Sequence, residues 1–304
     1  MSHRSTESRI PRQQPCDRIW QNETDGEVYV PELEAVEQHY SHGRLVEAIR
    51  AGVGQLGKAP DSVSVDDLAP VDEFHIGGRM ATETFLDQLD LSPGDRVLDI
   101  GCGLGGASRF AADRYGCRVT GIDLTGDYVR TGEVLSEWVG LDDLISLDRG
   151  DATAMPYASG AFDNAFMLHV GMNIENKELL ALELFRVLRP GGRLGVYDVM
   201  RTGDGELRYP VPWATTAGES RVSTPATYRG TLEAAGFRVV AEVDRSEFAL
   251  DFFDQLRANG NGESSSALGL HILMGDSALE KVGNMIDNVK EGRVAPYEII
   301  VEKP

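Results

Sequence analysis

Residues 96–106 constrain the fold of this chain more than any other stretch, because a short apolar strand runs directly into a glycine-rich turn. Val97, Leu98 and Ile100 predict a buried strand. The glycines that follow permit a tight turn and let a ligand come close to the backbone. They match the dinucleotide-binding pattern G-x-G-x-x-G at Gly101, Gly103 and Gly106. The stretch therefore predicts a sheet whose first turn holds a nucleotide-like ligand.

The acid in this strand, Asp99, distinguishes between two classes of nucleotide-like ligand. A dinucleotide places its pyrophosphate over the turn, at the N-terminus of the next helix. A carboxylate about 4–6 Å from a phosphate in a partly dry cleft repels it by an energy on the order of several kcal/mol. A ligand that carries an ammonium and a sulfonium instead of phosphates is attracted by the same carboxylate. The sequence therefore predicts S-adenosylmethionine (SAM) as the cofactor.

Two further predicted strands also end in acids. Residues 118–124 form the second strand, and the acid at its tip is placed to accept both hydroxyls of a ribose. Residues 144–147 form the third strand, and the acid that follows is placed to accept a hydrogen bond from the exocyclic amine of an adenine. Together with the residue after each acid, these candidate cofactor contacts are Asp123, Leu124, Asp151 and Ala152.

Apolar strands alternate along the chain with helices of mixed apolar and charged periodicity. The further predicted strands are 162–168, 193–199, 237–243 and 298–301, and the predicted helices are 31–56, 79–89, 105–115, 126–139 and 174–189. This alternation predicts an α/β fold, with a Rossmann-like, seven-stranded, mostly parallel sheet and helices on both faces. The ligand then binds at the carboxyl ends of the strands. We expect the last strand to lie beside strand 237–243.

The remaining segments predict how the chain is organised around this sheet. Residues 1–30 are polar and show little periodicity, which predicts a disordered arm. Residues 31–90 predict a helical lid, and residues 91–304 predict the core. Two insertions are expected in the core after its fifth and sixth strands, at 201–223 and 246–292.

The order and spacing of these motifs resemble those of a known family. Over about residues 75–245, five segments look like the successive motifs of the class I SAM-dependent methyltransferases: 97–106, 121–124, 150–152, 161–163 and 188–192. Within that family the chain is similar to a small-molecule branch. This branch includes sarcosine/dimethylglycine N-methyltransferases and ubiquinone/menaquinone-type C-methyltransferases.

The segment ahead of the first strand is similar to a His-x-Gly signature of this branch, which closes over the cofactor. It reads Phe-His-Ile-Gly-Gly over residues 74–78, so the resemblance assigns His75 to the cofactor site. It departs from the signature at Gly78, where an aromatic residue is common. The resemblance implies an enzyme that methylates a small molecule, first an amine of the sarcosine/dimethylglycine type. The alternative acceptor is a prenyl- or quinone-like compound methylated at carbon or oxygen.

Several residues outside the cofactor motifs are candidates for the acceptor side. His169 ends the fourth predicted strand, and two interpretations stay open for it. It either orients the acceptor or takes its proton, or it is a structural histidine bonded to the loop backbone. Aromatic and histidine side chains in the N-terminal helix and the insertions are candidates for the pocket: Tyr40, Tyr209, Trp213 and His271. Asn284 and Asn288, four residues apart on one helix face, are further candidates.

Composition excludes several other classes of function. The formal net charge of −20 argues against a nucleic-acid partner, because binding phosphates needs a basic surface. No apolar run reaches the roughly 18 residues of a membrane span, which predicts no stable membrane insertion. The 3 cysteines lack disulfide or metal spacing, and the first residues lack the apolar region of a secretory signal. We expect a cytoplasmic protein without a metal, and homo-oligomerisation stays open.

Two other function classes compete with the methyltransferase. A nicotinamide-dependent oxidoreductase uses the same turn, but Asp99 and the absence of a Tyr-x-x-x-Lys pair disfavour it. A non-catalytic SAM-binding module would keep the fold without turnover. Release of S-adenosylhomocysteine distinguishes the enzyme from the module.

Overall fold

A seven-stranded sheet forms the centre of the fold. The computed structural model describes residues 44–258 and 267–304, and its strands are β1 Arg96–Ile100, β2 Arg118–Asp123, β3 Ile145–Arg149, β4 Asn164–Leu168, β5 Arg193–Arg201, β6 Arg238–Asp244 and β7 Val294–Glu302. Their order is β3-β2-β1-β4-β5-β7-β6, and β7 runs antiparallel to both of its neighbours. This confirms the predicted Rossmann-like, mostly parallel sheet with the last strand beside the sixth.

The strand order reverses between β1 and β4, which creates the crevice where ligands of such sheets bind. Both strands are buried on their two faces, and Leu98 and Phe166, for example, are 0% exposed. Strands in this position are almost continuously apolar, because neither face meets water. The predicted fourth strand starts too early. Phe162 makes only an isolated bridge, and the carboxylate of Asp163 accepts a hydrogen bond from the Arg96 N–H (2.8 Å).

Helices cover both faces of the sheet, and apolar clusters lie between them and the strands. In the described part of the chain they are α1 Leu45–Gln55, α2 Val65–Asp72, α3 Gly78–Leu86, α4 Gly106–Tyr115, α5 Gly126–Trp138, α6 Lys177–Val187, α7 Pro225–Ala235, α8 Ser246–Ala258, α9 His271–Met274 and α10 Ala278–Lys290. Polar caps fix several of their starts: Ser64 accepts a hydrogen bond from the first turn of α2 and Asn176 from that of α6. The predicted helices within the core are found with small shifts of their ends.

The helices before β1 pack over the glycine turn. Ile49 of α1 and Leu68 of α2 are 0% exposed and belong to one apolar cluster with Leu104 of the turn and Leu135 of α5. Of the predicted helix 31–56, the described part is helical over Leu45–Gln55. Its earlier residues lie outside the described part of the chain.

The two predicted insertions differ in structure. Residues 202–223 form a loop, whereas the second insertion contains α8, α9 and α10. Through residues 44–258 and 267–304, each helix is too short or too polar to cross a bilayer.

Candidate active site

The glycines after β1 have different structural tasks. Gly101 and Gly103 adopt positive φ angles of 67° and 54°, a conformation that strains residues with a Cβ. A Cβ added to Gly101 would lie 2.3 Å from Val170 Cγ2, whereas one added to Gly103 would meet nothing closer than 3.9 Å. Gly103 therefore leaves space in which a ligand can approach the backbone. A Cβ on Gly106 would lie 2.5 Å from Asp72 Cβ, so this glycine lets α2 pack against the start of α4.

Asp123, at the end of β2, is bonded to this turn. The Gly103 N–H donates to Asp123 Oδ2 and the Thr125 N–H donates to Asp123 Oδ1, each at 2.8 Å. Burial raises the pKa of Asp123, against the effect of these two hydrogen bonds. Each carboxylate oxygen keeps a further lone pair. The side chain is therefore fixed in position and can still accept two hydroxyl groups.

Asp99 lies deeper in the same crevice and is 2% exposed. The Ser108 hydroxyl donates to its Oδ2 at 2.6 Å, which occupies only one of its two oxygens. Burial raises the pKa of Asp99 to about 7, although the hydrogen bond from Ser108 lowers it. A cation next to this carboxyl group would favour its ionised form.

The sheet brings the three predicted acids together at the ends of β1, β2 and β3, which are adjacent strands. Asp151 comes shortly after the end of β3. The N–H of Gly150, the residue before it, donates to the carbonyl oxygen of Asp123 (2.9 Å), so this segment stays beside the end of β2. The Thr153 N–H and hydroxyl both donate to Asp151 Oδ1, at 2.7 and 2.8 Å. These bonds leave Asp151 Oδ2 for another donor. Leu124 and Ala152 follow their acids and are half-buried.

A buried acid that the sequence motifs do not mark, Glu73, directly follows α2. It is 5% exposed, accepts a hydrogen bond from the Thr82 hydroxyl (2.6 Å) and pairs with Arg79 Nε (2.8 Å). The residue before it, Asp72, lies against Gly106, so Glu73 is close to the glycine turn, and its charge contributes to the raised pKa of Asp99. No local pattern marks Glu73, because its burial depends on how α2 and α3 meet.

The His169 ring contacts the backbone through both of its nitrogens. Its Nε2 accepts a hydrogen bond from the Ile76 N–H (3.3 Å), so Nδ1 carries the proton and faces the Tyr197 carbonyl oxygen (3.3 Å). Burial lowers the pKa of His169 to about 3, and nearby His75 adds to this shift. The imidazole is therefore neutral, and both nitrogens are engaged. These contacts are the ones that the structural interpretation of His169 predicts, and its role toward the acceptor stays a prediction.

His75 lies beside His169, with the two ring centres 5.9 Å apart. Its Nε2 is 3.0 Å from the Thr82 hydroxyl and 3.2 Å from the Gly78 carbonyl oxygen. Burial lowers its pKa to about 4, so the ring is neutral. The loop that carries His75 therefore packs tightly against the tips of β4 and β5.

An apolar cluster lies beyond the tips of β4 and β5, and we call it the apical cluster. It joins the loop before α3, the turn after β4, the 202–223 loop, α8 and α10 to the ends of β5 and β7. Its buried members are Ile76, Met172, Val199, Val211, Trp213, Ala214, Ala249, Phe253, Met285, Val289 and Val294. Trp213 is 3% exposed, its indole N–H donates to the Ser220 hydroxyl (3.0 Å), and Tyr209 packs against the cluster.

The remaining predicted pocket residues lie elsewhere. His271 begins a short helix and is exposed, so it does not line this region. Asn284 donates to the Pro210 carbonyl oxygen (2.9 Å) and Asn288 to that of Arg208 (3.0 Å). Both asparagines therefore hold the 202–223 loop instead of facing a ligand. Tyr40 lies outside the described residues.

This sheet, with acids at the ends of three adjacent strands around a glycine turn, defines a Rossmann-like nucleotide-binding protein. The family model described as a methyltransferase domain matches residues 98–196. The methyltransferase GfsG of Streptomyces halstedii is 31% identical over 197 residues, which cover 63% of this chain and 68% of that protein. The chain belongs to the class I SAM-dependent methyltransferases.

Two further similarities are more limited. A phosphoethanolamine N-methyltransferase of Triticum aestivum is 31% identical over 171 residues, 56% of this chain, and the chain spans only 33% of that relative's length. The geranyl diphosphate C-methyltransferase of Streptomyces coelicolor A3(2) gives a TM-score of 0.66 at 20% identity, covering 90% of this chain and 98% of that one. The structural likeness supports the fold.

Family membership decides in favour of a methyltransferase over the nicotinamide-dependent oxidoreductase. The protein is an enzyme whose methyl donor is SAM and whose acceptor is a small molecule. The identity of the acceptor is a separate question, because the relatives differ in the compound that they methylate.

Proposed function

We propose that SAM lies over the glycine turn, with its charged groups facing Asp99, its ribose hydroxyls on Asp123 and its adenine amine near Asp151. Leu124 and Ala152 would flank the adenosine. The observation that carries this proposal is the pair of N–H bonds that fix the Asp123 carboxylate to Gly103 and Thr125. The open space beside Gly103 fits a ligand that approaches the backbone closely.

The reaction then depends mainly on positioning. When bound, SAM supplies an activated methyl carbon for transfer to a nucleophile. The chain has to hold the acceptor in line with that carbon, and positioning of this kind is worth about 7–11 kcal/mol of the barrier. We propose that the segment over residues 44–90 acts as the lid, because its helix α2 contacts the turn at Gly106 and would exclude water there.

We propose that the acceptor has an apolar body and is methylated at carbon or oxygen. The support is the apical cluster, whose aliphatic and aromatic side chains come from seven separate segments of the chain, among them the turn that follows β4. The sarcosine/dimethylglycine-type amine is the second candidate. The carboxylate of such an amino acid needs a cationic partner. The aromatic side chains in this region, Tyr209 and Trp213, suit only its ammonium group.

Labelled SAM tests this proposal directly. The enzyme is offered a prenyl alcohol, a quinone-like phenol, sarcosine and dimethylglycine in parallel, and release of S-adenosylhomocysteine is measured for each. We expect label in the organic-extractable compounds. Label confined to the amines would overturn the apolar acceptor, and SAM binding without release from any of the compounds would overturn both acceptor candidates. NAD serves as the control ligand and should not compete with SAM.

SAM affinity is expected to rise with pH, because the pKa of Asp99 in the free protein is about 7. The carboxyl group must lose its proton before it faces a cation, so the dissociation constant should fall about tenfold between pH 6 and pH 8. The charged groups acting on Asp99 are Asp123 and Glu73, which raise its pKa, and Arg109, which lowers it. Calorimetry in buffers of different ionisation heat measures the affinity and the released proton. An affinity that is constant over this range would contradict the assignment.

A further inference from the structure

A buried polar cluster next to the turn that follows β4 has no part in the reaction proposed above. It consists of Lys177, Asp198 and Tyr228, which are 8%, 0% and 3% exposed and come from α6, β5 and α7. The Tyr228 hydroxyl donates to Asp198 Oδ2, and Lys177 Nζ lies 5.5 Å from the centre of the Tyr228 ring. We call these three side chains the polar cluster.

The polar cluster holds the turn that follows β4. Lys177 Nζ donates to the carbonyl oxygen of Ile174, the residue that follows this turn. The turn Gly171–Asn173 is therefore bonded to the polar cluster just after its end. Buried polar groups that are satisfied in this way permit little variation in geometry.

The contact is closest at Gly171. A Cβ added to Gly171 would lie 2.2 Å from Tyr228 Oη and 2.6 Å from Asp198 Oδ2. The 202–223 loop is tied to the same turn, since the Arg221 N–H donates to the Met172 carbonyl oxygen (2.8 Å). Lys177 Nζ also donates to the Arg221 carbonyl oxygen (3.0 Å). The polar cluster therefore fixes the turn and the loop relative to each other.

The same turn faces the apical cluster. The Met172 side chain is 4% exposed and belongs to that cluster with Ile76 and Trp213. The turn thus connects the polar cluster to the wall that is proposed to receive the acceptor. We propose that Lys177, Asp198 and Tyr228 are positioning residues, which set the place of Met172 in this wall without touching the acceptor. This inference rests on the proposed function, because it takes the apical cluster as the acceptor side.

Tyr228→Phe tests the inference, because it removes one hydroxyl and keeps the ring. We expect SAM affinity to stay within about twofold of the wild type, while kcat/KM falls about tenfold for the compound methylated in the panel above. The methyl resonance of Met172, in protein labelled with 13C-methyl methionine, should shift. Tyr115→Phe is the matched control, because the Tyr115 hydroxyl also donates to a carboxylate, that of Asp87 (2.7 Å). Tyr115 is the last residue of α4, and the glycine turn lies at the other end of this helix. Tyr115→Phe should leave both quantities unchanged.

A double-mutant cycle separates positioning from a general loss of structure. Gly171→Ala should lower kcat/KM strongly in the wild type and less in Tyr228→Phe, because the closer of the two clashes, with the Tyr228 hydroxyl, is then gone while the one with Asp198 Oδ2 remains. The inference would be overturned if the effects of the two substitutions on kcat/KM were additive. It would also be overturned if Tyr228→Phe left kcat/KM unchanged, or lowered SAM affinity as much as kcat/KM. If no compound of the panel is methylated, the proposed acceptor fails, and the Met172 resonance alone decides. A shift in Tyr228→Phe but not in Tyr115→Phe supports the positioning role, and no shift refutes it.

Discussion

Asp99→Asn is expected to raise the SAM dissociation constant about 100-fold, because it removes the carboxylate proposed to face the cationic end of the ligand while keeping the shape of the side chain. Truncating one partner of a buried charge pair costs about 2–5 kcal/mol, and 100-fold corresponds to about 3 kcal/mol. Calorimetric titration with SAM measures the effect. Asp142→Asn is the matched control, since Asp142 is exposed between α5 and β3, and it should bind SAM like the wild type.

The same substitution should make the ligand-free protein more stable at pH 8. Burial raises the pKa of Asp99 from 3.8 to about 7, so the folded chain holds this proton more tightly than the unfolded chain. The free energy of unfolding therefore falls as the pH rises from about 4 to about 7 and stays lowered above that range. Asp99→Asn escapes this loss and should gain at least about 1 kcal/mol at pH 8, and less at pH 5, in urea unfolding.

These two measurements distinguish a ligand-binding acid from a structural one. If Asp99 binds the ligand, the Asp99→Asn protein should bind SAM more weakly and be more stable than the wild type. Its stability rises because the free protein no longer bears the desolvation cost of a buried carboxylate. If Asp99 is structural, the Asp99→Asn protein should lose both SAM affinity and stability. The hydrogen bond from Ser108 would then stabilise the wild type by more than the desolvation of Asp99 costs. Lower stability of Asp99→Asn at pH 8 would therefore remove Asp99 from the proposed cofactor site.

The strand ends could be predicted from the sequence because local rules determine them. Apolar runs mark β1 and β2, and the sheet is parallel, so acids that end these strands must lie at the same edge. Asp99, Asp123 and Asp151 lie at the same edge of the sheet for this reason. The glycine pattern likewise predicts a turn, since positive φ at Gly101 and Gly103 is a local property.

Contacts between distant elements could not be predicted in this way. Helical spacing places Asn284 and Asn288 on one face of α10, but it does not say which element that face meets, and the structure shows the 202–223 loop. The two interpretations of His169 differ only in its partners, and its Nε2 partner, Ile76, is 93 residues away in sequence. Glu73 is buried by helix packing that leaves no mark in its own segment.

Arg109→Met is expected to lower the free energy of unfolding by about 3–5 kcal/mol, because it leaves a buried carboxylate without its partner. Arg109 is 0% exposed and donates to both oxygens of Asp72, at 3.2 and 2.6 Å. It also donates to the Gly132 carbonyl oxygen (3.1 Å), so one side chain joins α2, α4 and α5. Urea unfolding at neutral pH measures the loss.

Arg96→Met is the control for this ion pair, because Arg96 is paired with Asp163 but its side chain is 54% exposed, and the loss should stay below about 1 kcal/mol. The double variant Asp72→Leu/Arg109→Met removes both buried charges and should recover part of the stability that Arg109→Met loses. Because Asp72 lies against Gly106, a weakened pair should also loosen α2 over the glycine turn and lower SAM affinity while the core stays folded. Equal losses in Arg109→Met and Arg96→Met would show that the buried pair does not hold α2 in place.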